Sequence, residues 1–351
     1  MMGTHPDGKG GIATVVAVLQ EQGFFERNQV RYIATHAQVG ALRKLVTAMG
    51  AMATVGWICL VQRPAIVHVH SASGSSFYRK SLILLMARLF GRKTIFHLHG
   101  AEFRQFAYDK SGPLGRWWIR RTLAGSSVVV ALSESWSGFL HALSPTAHLR
   151  VVFNSVSLPV LPQPLREEAG RILFLGRAEK RKGIFVLLEA MALLKQDFPE
   201  IMLVVGGDGN LDAVARAVER LQLGAHVSIM GWISAAERNE QLARAAIFTL
   251  PSHDEGLPMS MLEAMAAAKA VVVTPVGGIP EAVEDQVNGL LVAPGDAAAL
   301  AAAFRTLLTD VALRRRIGER ARATVAARFS TEVVMEQLAG LYRELEGPAL
   351  P

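Results

Sequence analysis

The chain contains very little cysteine, and its first residues do not form a secretory leader. Among its 351 residues the single cysteine, Cys59, excludes an internal disulfide framework and a cysteine-based structural zinc site. The first 20 residues are rich in glycine and polar groups and lack the basic start and apolar core of a signal peptide. We therefore expect a protein of the reducing cytoplasm.

A glycine motif for dinucleotide binding is also missing. We find no G-x-G-x-x-G after a first strand with an acidic residue about 20 positions later. The turn at 206–209, Gly-Gly-Asp-Gly, is too short to meet that pattern. This absence argues against a nicotinamide-dependent dehydrogenase.

One charge-free stretch, residues 45–61, has to be considered as a membrane span. A span needs about 20 predominantly apolar residues, and this stretch has 17, among them Thr47, Gly50, Thr54 and Gly56. The residues that follow it, 65–70, are typical of an inner strand. We therefore expect 45–61 to form a helix packed against a sheet.

Positive charge is concentrated in the first half of the chain. Residues 1–160 hold 17 Lys and Arg against 6 Asp and Glu, a balance of +11, whereas 161–351 hold 20 against 24, a balance of −4. Within 79–121, basic residues alternate with aromatic ones, a mixture that suits an anionic membrane surface. We expect peripheral membrane contact at the inner face of the cell membrane, with a solvated face as the alternative. No nucleic-acid module is visible, so we expect no nucleic-acid partner.

Short apolar runs alternate with longer helical segments along almost the whole chain, which is typical of parallel sheets covered by helices. We predict an α/β fold with two doubly wound halves and a proline-containing linker at 154–164. The predicted strands are 30–34, 65–70, 93–98, 127–132 and 150–153 in the first half, and 171–175, 201–206, 226–230, 246–250, 270–274 and 289–292 in the second.

The two ends of the chain differ from this alternation. Asp296 predicts an N-cap for a helix over 297–308, with further helices near 311–328 and 331–346. At the start, only residues 1–5 precede a Pro-Asp-Gly turn. We expect the first strand to be short or partly lost, with a natural start further upstream as the alternative explanation.

Segment 251–263, PSHDEGLPMSMLE, carries two carboxylates eight positions apart. Pro258 suits the first position of a helix, because its missing N–H has no partner there and its φ is already helical. Glu263 would then lie on the second turn and Glu255 in the preceding loop. Free amides at 257–260 and the helix dipole favour a diphosphate, while carboxylates accept from sugar and ribose hydroxyls. The pattern indicates a nucleotide-sugar site; two ordinary solvated or capping acids are the alternative.

The same segment resembles the E-x7-E signature of glycosyltransferase family 4, and further segments resemble that family in the expected order. Together these matches extend over most of the chain. They are GKGGI at 8–12, FHLHG at 96–100, ILFLGRAEKRKG at 172–183, LVVGGDG at 203–209, GGIPE at 277–281 and NGLLV at 288–292.

The resemblance implies a retaining glycosyltransferase of the GT-B architecture, with two Rossmann-like domains that face a central cleft. It implies an acceptor-side domain at 1–160, onto which a helix at 331–351 crosses back, and a nucleotide-sugar-binding domain at 165–330. Ligands of open parallel sheets collect beyond the carboxyl ends of the strands, which agrees with this arrangement. The chain contains no Asp-x-Asp motif, so we expect a metal-independent enzyme without a cofactor and with a UDP- or GDP-sugar as donor.

The resemblance also assigns roles to individual residues. Arg177 and Lys182 would bind the diphosphate and stabilise it as it leaves, and Gly10 and Gly11 would close on it through backbone amides. His99 would face the donor sugar at the reacting centre. The other donor contacts are assigned to Glu255, Gly256, Leu257 and Pro258 for the sugar, Glu263 for the ribose, and Trp232 with Ile233 for the base.

The acceptor is expected to be lipid-linked or a glycan, as in bacterial surface polysaccharide assembly. A polyprenyl diphosphate is anionic and lies at a membrane, which suits the basic first half. The alternatives are a sugar-nucleotide epimerase of the same architecture and a non-catalytic glycan-binding protein. For single residues, solvated Arg177 and Lys182, a core histidine at 99 and a plain surface turn at 8–11 are the other interpretations.

Overall fold

The computed structural model describes residues 1–5, 11–36, 41–100, 102–161 and 166–347. The chain forms two compact units, one made of Met1–Ser155 with Thr331–Pro351 and the other of Val156–Ser330. Each unit is built around one parallel sheet.

The sheet of the first unit has its described strands in the order β2-β1-β3-β4-β5-β6. β1 lies inside this sheet although it has only three residues, and Met2 pairs with both Ile33 and Val69. The prediction of a short first strand is confirmed. The bounds are β1 Met2–Thr4, β2 Ile33–His36, β3 Ile66–Ser71, β4 Lys93–Leu98, β5 Val128–Ala131 and β6 Leu149–Val151.

The sheet of the second unit has its described strands in the order β12-β11-β10-β7-β8-β9. The chain adds strands on one side of β7 and then returns to its other side, so the order reverses between β7 and β10. Crevices at such switch points bind ligands in open parallel sheets. The bounds are β7 Arg171–Leu175, β8 Met202–Gly206, β9 Val227–Gly231, β10 Ile247–Leu250, β11 Ala270–Val273 and β12 Leu290–Leu291.

Helices alternate with the strands of both units. The predicted fold class, two doubly wound α/β domains, is therefore confirmed. In the first unit they are α1 Gly11–Glu21, α2 Phe24–Arg27, α3 Ala41–Val61, α4 Ser75–Leu89, α5 Phe103–Gln105 with a π-helical turn at Phe106–Lys110, α6 Pro113–Gly125 and α7 Glu134–Leu143. In the second unit they are α8 Ile184–Leu194 after a 3₁₀ turn at Lys180–Lys182, α9 Leu211–Arg220, α10 Ala235–Arg244, α11 Met259–Ala266, α12 Ile279–Ala282, α13 Ala297–Thr309 and α14 Val311–Arg328.

The last described helix, α15 (Thr331–Glu346), belongs to the first unit. It contacts α1 and β3, and the Oη of Tyr342 lies 2.7 Å from the Nδ1 of His68 on β3. The chain therefore completes its first unit with residues that follow the whole of the second.

The charge-free stretch 45–61 lies within α3, which packs on β2 and α4. Val55 and Cys59 are buried, whereas Trp57 and Leu60 are exposed. Within the described ranges, no helix is long and apolar enough to cross a membrane. A helix packed on the sheet, as predicted, accounts for this stretch.

Two boundaries illustrate how local hydrogen bonds decide the elements. Asp296 caps α13 by accepting from the amide of Ala299 at 2.8 Å, which confirms the predicted N-cap. β2 begins three residues later than predicted. The amide of Val30 donates to the carbonyl of Phe25 and closes the turn after α2, so strand pairing starts only at Ile33.

Candidate active site

The loops that follow β7 and β10 lie side by side at the switch point of the second sheet. The amide of His253 donates to the carbonyl of Arg181 at 2.8 Å, and the guanidinium of Arg181 donates to the carbonyl of Asp254 at 3.1 Å. Two segments more than 70 positions apart in the chain are thus held in register.

Glycine permits two close approaches around these loops. Gly183 has a φ of +74°, and a Cβ built there would lie 1.9 Å from the carbonyl oxygen of Pro251. Gly277 has a φ of +57°, and its Cβ would lie 1.9 Å from the carbonyl oxygen of Glu255. Any other residue would push the loops apart, because both positions combine left-handed backbone with direct backbone contact.

Lys182 and Glu255 form an ion pair between the two loops. The Nζ of Lys182 donates to the Oε1 of Glu255 at 2.5 Å, and the hydroxyl of Ser252 donates to the same oxygen at 2.6 Å. Thr274 fixes Ser252 in turn, because its hydroxyl donates to the carbonyl of that residue at 2.6 Å. Glu255 is only 4% exposed, so this carboxylate is held in one orientation.

Glu263 forms a second ion pair further along the same edge. It lies on α11, and its Oε1 is 3.2 Å from an Nη1 of Arg238 on α10. Burial raises the pKa of Glu263, while the charge of Arg238 acts in the opposite direction. Its charge state therefore depends on the arginine.

The start of α11 corrects one detail of the sequence analysis. Pro258 has ψ of +124° and stands just before the helix, which begins at Met259. Its carbonyl accepts from the amide of Leu262 at 3.2 Å, as the residue preceding a first turn does. Glu263 still lies on the second turn, and Gly256 and Leu257 lie in the loop before it.

Arg177 forms its ion-pair contacts with acidic side chains other than Glu255 and Glu263. Its guanidinium contacts Glu179 at 2.7 Å and lies 3.8 Å from Asp208, and its side chain is 60% exposed. Trp232 and Ile233 directly follow β9, at the same carboxyl edge of the sheet. Trp232 is 49% exposed, which leaves much of its ring accessible.

In the first unit, His99 directly follows β4 and is half-buried. Its amide donates to the carbonyl of Ser71 at 2.8 Å, and its Nε2 lies 2.7 Å from the Nδ1 of His70. Burial lowers the pKa of His99 to about 3, so the ring is neutral near pH 7. Gly11 begins α1, whereas Gly10 lies outside the described residues.

Comparison with known proteins identifies the family. A family model described as "Glycosyl transferase 4-like domain" matches residues 10–155, and one described as "Glycosyl transferases group 1" matches 162–324. The putative glycosyltransferase EpsD of Bacillus subtilis is 29% identical over 299 residues, which are 79% of this chain and 76% of EpsD. The chain is a nucleotide-sugar-dependent glycosyltransferase of the family 4 type.

Two further similarities accompany this assignment. The amylovoran biosynthesis glycosyltransferase AmsK of Erwinia amylovora is 32% identical to this glycosyltransferase over 241 residues, or 64% of this chain and 58% of AmsK. The solved structure of sucrose-phosphate synthase from Thermosynechococcus elongatus superimposes with a TM-score of 0.81 at 21% identity and covers 98% of both chains. The second similarity concerns the fold, which is GT-B.

The structure of the glycosyltransferase joins some of the predicted site residues and adds others. It brings Lys182 and Glu255 into contact, but directs Arg177 to Glu179 and Asp208. The sequence analysis missed Ser252 and Arg238. The strand order would have placed the loop of Ser252 beside that of Lys182, whereas no motif marks Arg238, which comes from a helix outside the family segments.

Proposed function

We propose that this glycosyltransferase transfers a sugar from a UDP- or GDP-sugar to a lipid-linked or glycan acceptor in the assembly of a bacterial surface polysaccharide. We infer retention of the anomeric configuration and no requirement for a divalent metal in the transfer. The similarity to AmsK, whose name refers to amylovoran biosynthesis, supports the choice of pathway class.

The observation that carries the proposal is the ion pair of Lys182 with Glu255 at the switch point. An ammonium has three N–H donors, so Lys182 can keep its bond to Glu255 and also donate to a diphosphate. Lys182 would thereby bind the leaving diphosphate and Glu255 the sugar, while the two residues stay hydrogen-bonded to each other. Such fixed charges stabilise a developing anion without reorganisation at the moment of reaction.

Glu255 is assigned to the hydroxyls of the donor sugar. Lys182 and Ser252 both donate to its Oε1 and hold the carboxylate in one orientation. Gly256, Leu257 and Pro258 would line the sugar from the same loop. Glu263, held by Arg238, would accept from the ribose.

Arg177 is assigned to the diphosphate through an exchange of partners. Its contacts to Glu179 and Asp208 are to exposed or half-exposed side chains, which are weak in water. A diphosphate offers a planar guanidinium a bidentate partner of higher charge. Trp232 and Ile233 would hold the base, and Gly10 and Gly11 would approach the phosphates through their amides.

The chemistry we infer is a front-face displacement, in which the leaving diphosphate takes the proton of the acceptor hydroxyl. The conspicuous residues stabilise charge, and none is arranged as a nucleophile with a matched acid about 5 Å away, as in retaining hydrolases. A neutral His99 suits a hydrogen bond to the reacting sugar. Glu255→Gln that kept full turnover at saturating donor would contradict the role given to Glu255.

The donor class is tested by thermal stabilisation of the purified protein with UDP, GDP, ADP and NAD, each with and without Mg²⁺. We expect a shift with UDP or GDP that Mg²⁺ does not change. The shift should disappear in Arg177→Ala/Lys182→Ala and persist in Lys180→Ala, an exposed neighbour on the same turn. A shift with NAD alone would overturn the assignment.

Turnover then separates the proposed function from its alternatives. A glycosyltransferase releases nucleoside diphosphate only in the presence of acceptor, and product NMR reports the anomeric configuration. An epimerase would interconvert nucleotide sugars without acceptor, and a glycan-binding protein would release nothing. Full activity in EDTA would support metal-independent transfer.

The lipid-linked acceptor and the membrane contact rest on one surface of the first unit. α4 and α6 pack together and expose large apolar side chains, with Leu89 at 78%, Leu114 at 83% and Trp117 at 58%. The adjacent Arg120 and Arg121 are also exposed. Apolar anchors among basic residues suit an anionic membrane, where each cation contributes about 1 kcal/mol near the headgroups.

Co-sedimentation with vesicles tests this contact. We expect binding to phosphatidylserine-containing vesicles at low salt, weaker binding to phosphatidylcholine vesicles, and loss in Leu114→Ala/Trp117→Ala. Leu193→Ala, which removes an exposed leucine of the second unit, serves as the control. No binding to anionic vesicles even at low salt would refute membrane association while leaving the donor assignment intact.

A further inference from the structure

Four histidines form one cluster on the first sheet. His68 and His70 alternate along β3 and therefore face the same side of the sheet. His97 on β4 pairs in register with His70, and His99 follows two positions later. Neighbouring rings are stacked or tilted against each other with centroids 4.2 to 5.4 Å apart.

Three of these rings are removed from solvent. His68 is 1% exposed, His70 is 0% exposed and His97 is 3% exposed. One ring nitrogen from each of the three lies within 4.8 Å of those of the other two. No thiolate or carboxylate belongs to this group of described residues, so its donor set consists of imidazoles alone.

Among the residues that the structure describes, two nitrogens of the cluster have no hydrogen-bond partner. They are the Nε2 atoms of His70 and His97, and both are buried. A buried polar atom without a partner is costly and calls for an explanation, such as an ion that it binds. Both atoms belong to residues that are paired in register on neighbouring strands, which points to one partner for the two.

The opposite nitrogens are held in place. The Nδ1 of His68 lies 2.7 Å from the Oη of Tyr342, and the Nδ1 of His70 lies 2.7 Å from the Nε2 of His99. Imidazoles that bind metals almost always donate their second N–H to a fixed acceptor, and a phenol or a neutral imidazole can accept. His68 and His70 have this arrangement, and the Nε2 of His68 lies 3.3 Å from the Nδ1 of His97, so it already faces the third ring.

We propose that His68, His70 and His97 bind a divalent transition-metal ion, Zn²⁺ or one of similar preference, through their ring nitrogens. Neutral imidazoles suit Zn²⁺, Cu²⁺, Ni²⁺ and Fe²⁺ and do not suit Mg²⁺ or Ca²⁺. Zn–N bonds of about 2.0 to 2.1 Å in a tetrahedron require nitrogens roughly 3.4 Å apart, so the rings draw together on binding.

The surroundings of the cluster agree with this proposal. Burial lowers the pKa values of all three histidines, which keeps the rings in the neutral form that binds metals. His68 and Tyr342 also line a cavity of about 670 Å³. The cavity therefore lies next to one member of the cluster and to the tyrosine that contacts it.

The proposed ion differs in place and role from a metal that would assist the transfer. The charged residues assigned to the donor diphosphate, Arg177 and Lys182, lie in the second unit, and the histidine site lies in the first. The ion would join β3, β4 and, through Tyr342, α15. This inference is independent of the proposed function, and each can fail without the other.

The test uses the full chain, freed of metal by a chelator and returned to metal-free buffer. Equilibrium dialysis with Zn²⁺ should give about one bound ion per chain, and Co²⁺ should give the intense visible bands of a tetrahedral site. His70→Gln should bind Zn²⁺ at least about tenfold more weakly, and Tyr342→Phe, which keeps all three ligands, about 10- to 100-fold more weakly. His148→Gln, an exposed histidine bonded to a backbone carbonyl, should bind as the parent does.

Two results would overturn the site. One is a folded parent protein that binds no stoichiometric ion and shows no Co²⁺ bands; the other is unchanged Zn²⁺ affinity in a folded His70→Gln variant. Should His70→Gln fail to fold, as circular dichroism would show, the Co²⁺ spectrum of the parent protein decides the question. Donor-induced thermal shifts measured on the same samples report separately on the proposed function.

Discussion

The two units treat their buried polar groups in different ways. The second unit pairs cations with carboxylates, as in Lys182 with Glu255 and Lys269 with Glu167. In the first unit, the buried Lys80 donates to the hydroxyl of Thr35 and, among the described residues, has no carboxylate within ion-pair distance. Its other buried polar groups include three neutral imidazoles, those of His68, His70 and His97.

This difference indicates different ligands for two units with similar folds. A buried cation held by a carboxylate is already fixed in position, so it can add a bond to a charged ligand without reorganisation. Neutral imidazoles and a lysine without a carboxylate partner instead gain their missing interactions from a ligand. A shared fold therefore does not make the units interchangeable, since their function depends on the side chains at each site.

The largest expected effect breaks the loop contact in the second unit. Gly183→Ala should destabilise that unit by at least about 4 kcal/mol, because a left-handed residue would also have to displace the carbonyl of Pro251. Hydrogen exchange followed by mass spectrometry would report the loss for each unit separately.

The matched control lies in the first unit. Gly23 has φ of +72° and ψ of +19°, against +74° and +16° at Gly183, but the nearest atom to its Cβ would be 3.9 Å away. Gly23→Ala should cost only about 1 to 2 kcal/mol. Equal losses of stability in Gly183→Ala and Gly23→Ala would show that the cost comes from the backbone conformation and not from the contact with Pro251.

A second prediction contrasts two buried lysines, Lys269 and Lys80. Lys269→Met removes the partner of Glu167, at 2.9 Å from its Nζ, and should destabilise the second unit by about 3 kcal/mol. Lys80→Met leaves only a hydroxyl without its donor and, measured at pH 7, should change the stability of the first unit by less than about 1 kcal/mol. Chemical denaturation monitored by unit-resolved hydrogen exchange measures both.

The pH dependence of stability sharpens the same contrast. Burial, with a smaller contribution from Arg79, lowers the pKa of Lys80 to about 7. The unfolded chain then binds more protons than the folded one between pH 7 and the usual lysine pKa, so stability rises with pH in that window. Relative to Lys80→Met, the parent should gain up to about 1.4 kcal/mol per pH unit above pH 7. If the difference in unfolding free energy between the parent and Lys80→Met did not change with pH, Lys80 would keep its ordinary pKa.

The smallest expected effect concerns donor affinity in the second unit. Arg238→Ala removes the cation that opposes the burial-driven rise in the pKa of Glu263. More of that carboxyl is then protonated, and we expect the KM for the donor to rise about tenfold, or roughly 1.4 kcal/mol, with kcat little changed. Arg244 lies on the same helix as Arg238 and forms an exposed ion pair with Glu168. Arg244→Ala should therefore leave the KM for the donor unchanged. A fall in kcat alone would contradict the binding role.

The sequence predicted most of the strands because parallel strands covered on both faces are continuous apolar runs, as in β10 and β11. It misplaced the start of β2, where a single backbone bond to Phe25 extends the preceding turn. Pairings such as Lys182 with Glu255 join residues that are 73 positions apart in the chain. The spacing of residues in the sequence does not predict such contacts.

The histidine cluster shows a signal that was present but unused. H-x-H occurs in two consecutive predicted strands, at 68–70 and 97–99, and the sequence analysis assigned a role only to His99. Consecutive strands of a parallel sheet are usually neighbours, so these patterns predict adjacent rings. The contribution of Tyr342 has no such signal, since it comes from a helix 274 positions away.

The position of α15 has a consequence for how the protein is made. All residues of the second unit, 156–330, are synthesised before this helix. The first unit lacks α15 until then. At about 5 to 20 residues per second, the delay lasts roughly 10 to 40 s. During that time the ring of His68 is without its hydrogen bond to the hydroxyl of Tyr342, so a metal ion that bound this early would meet histidines whose orientation is not yet fixed.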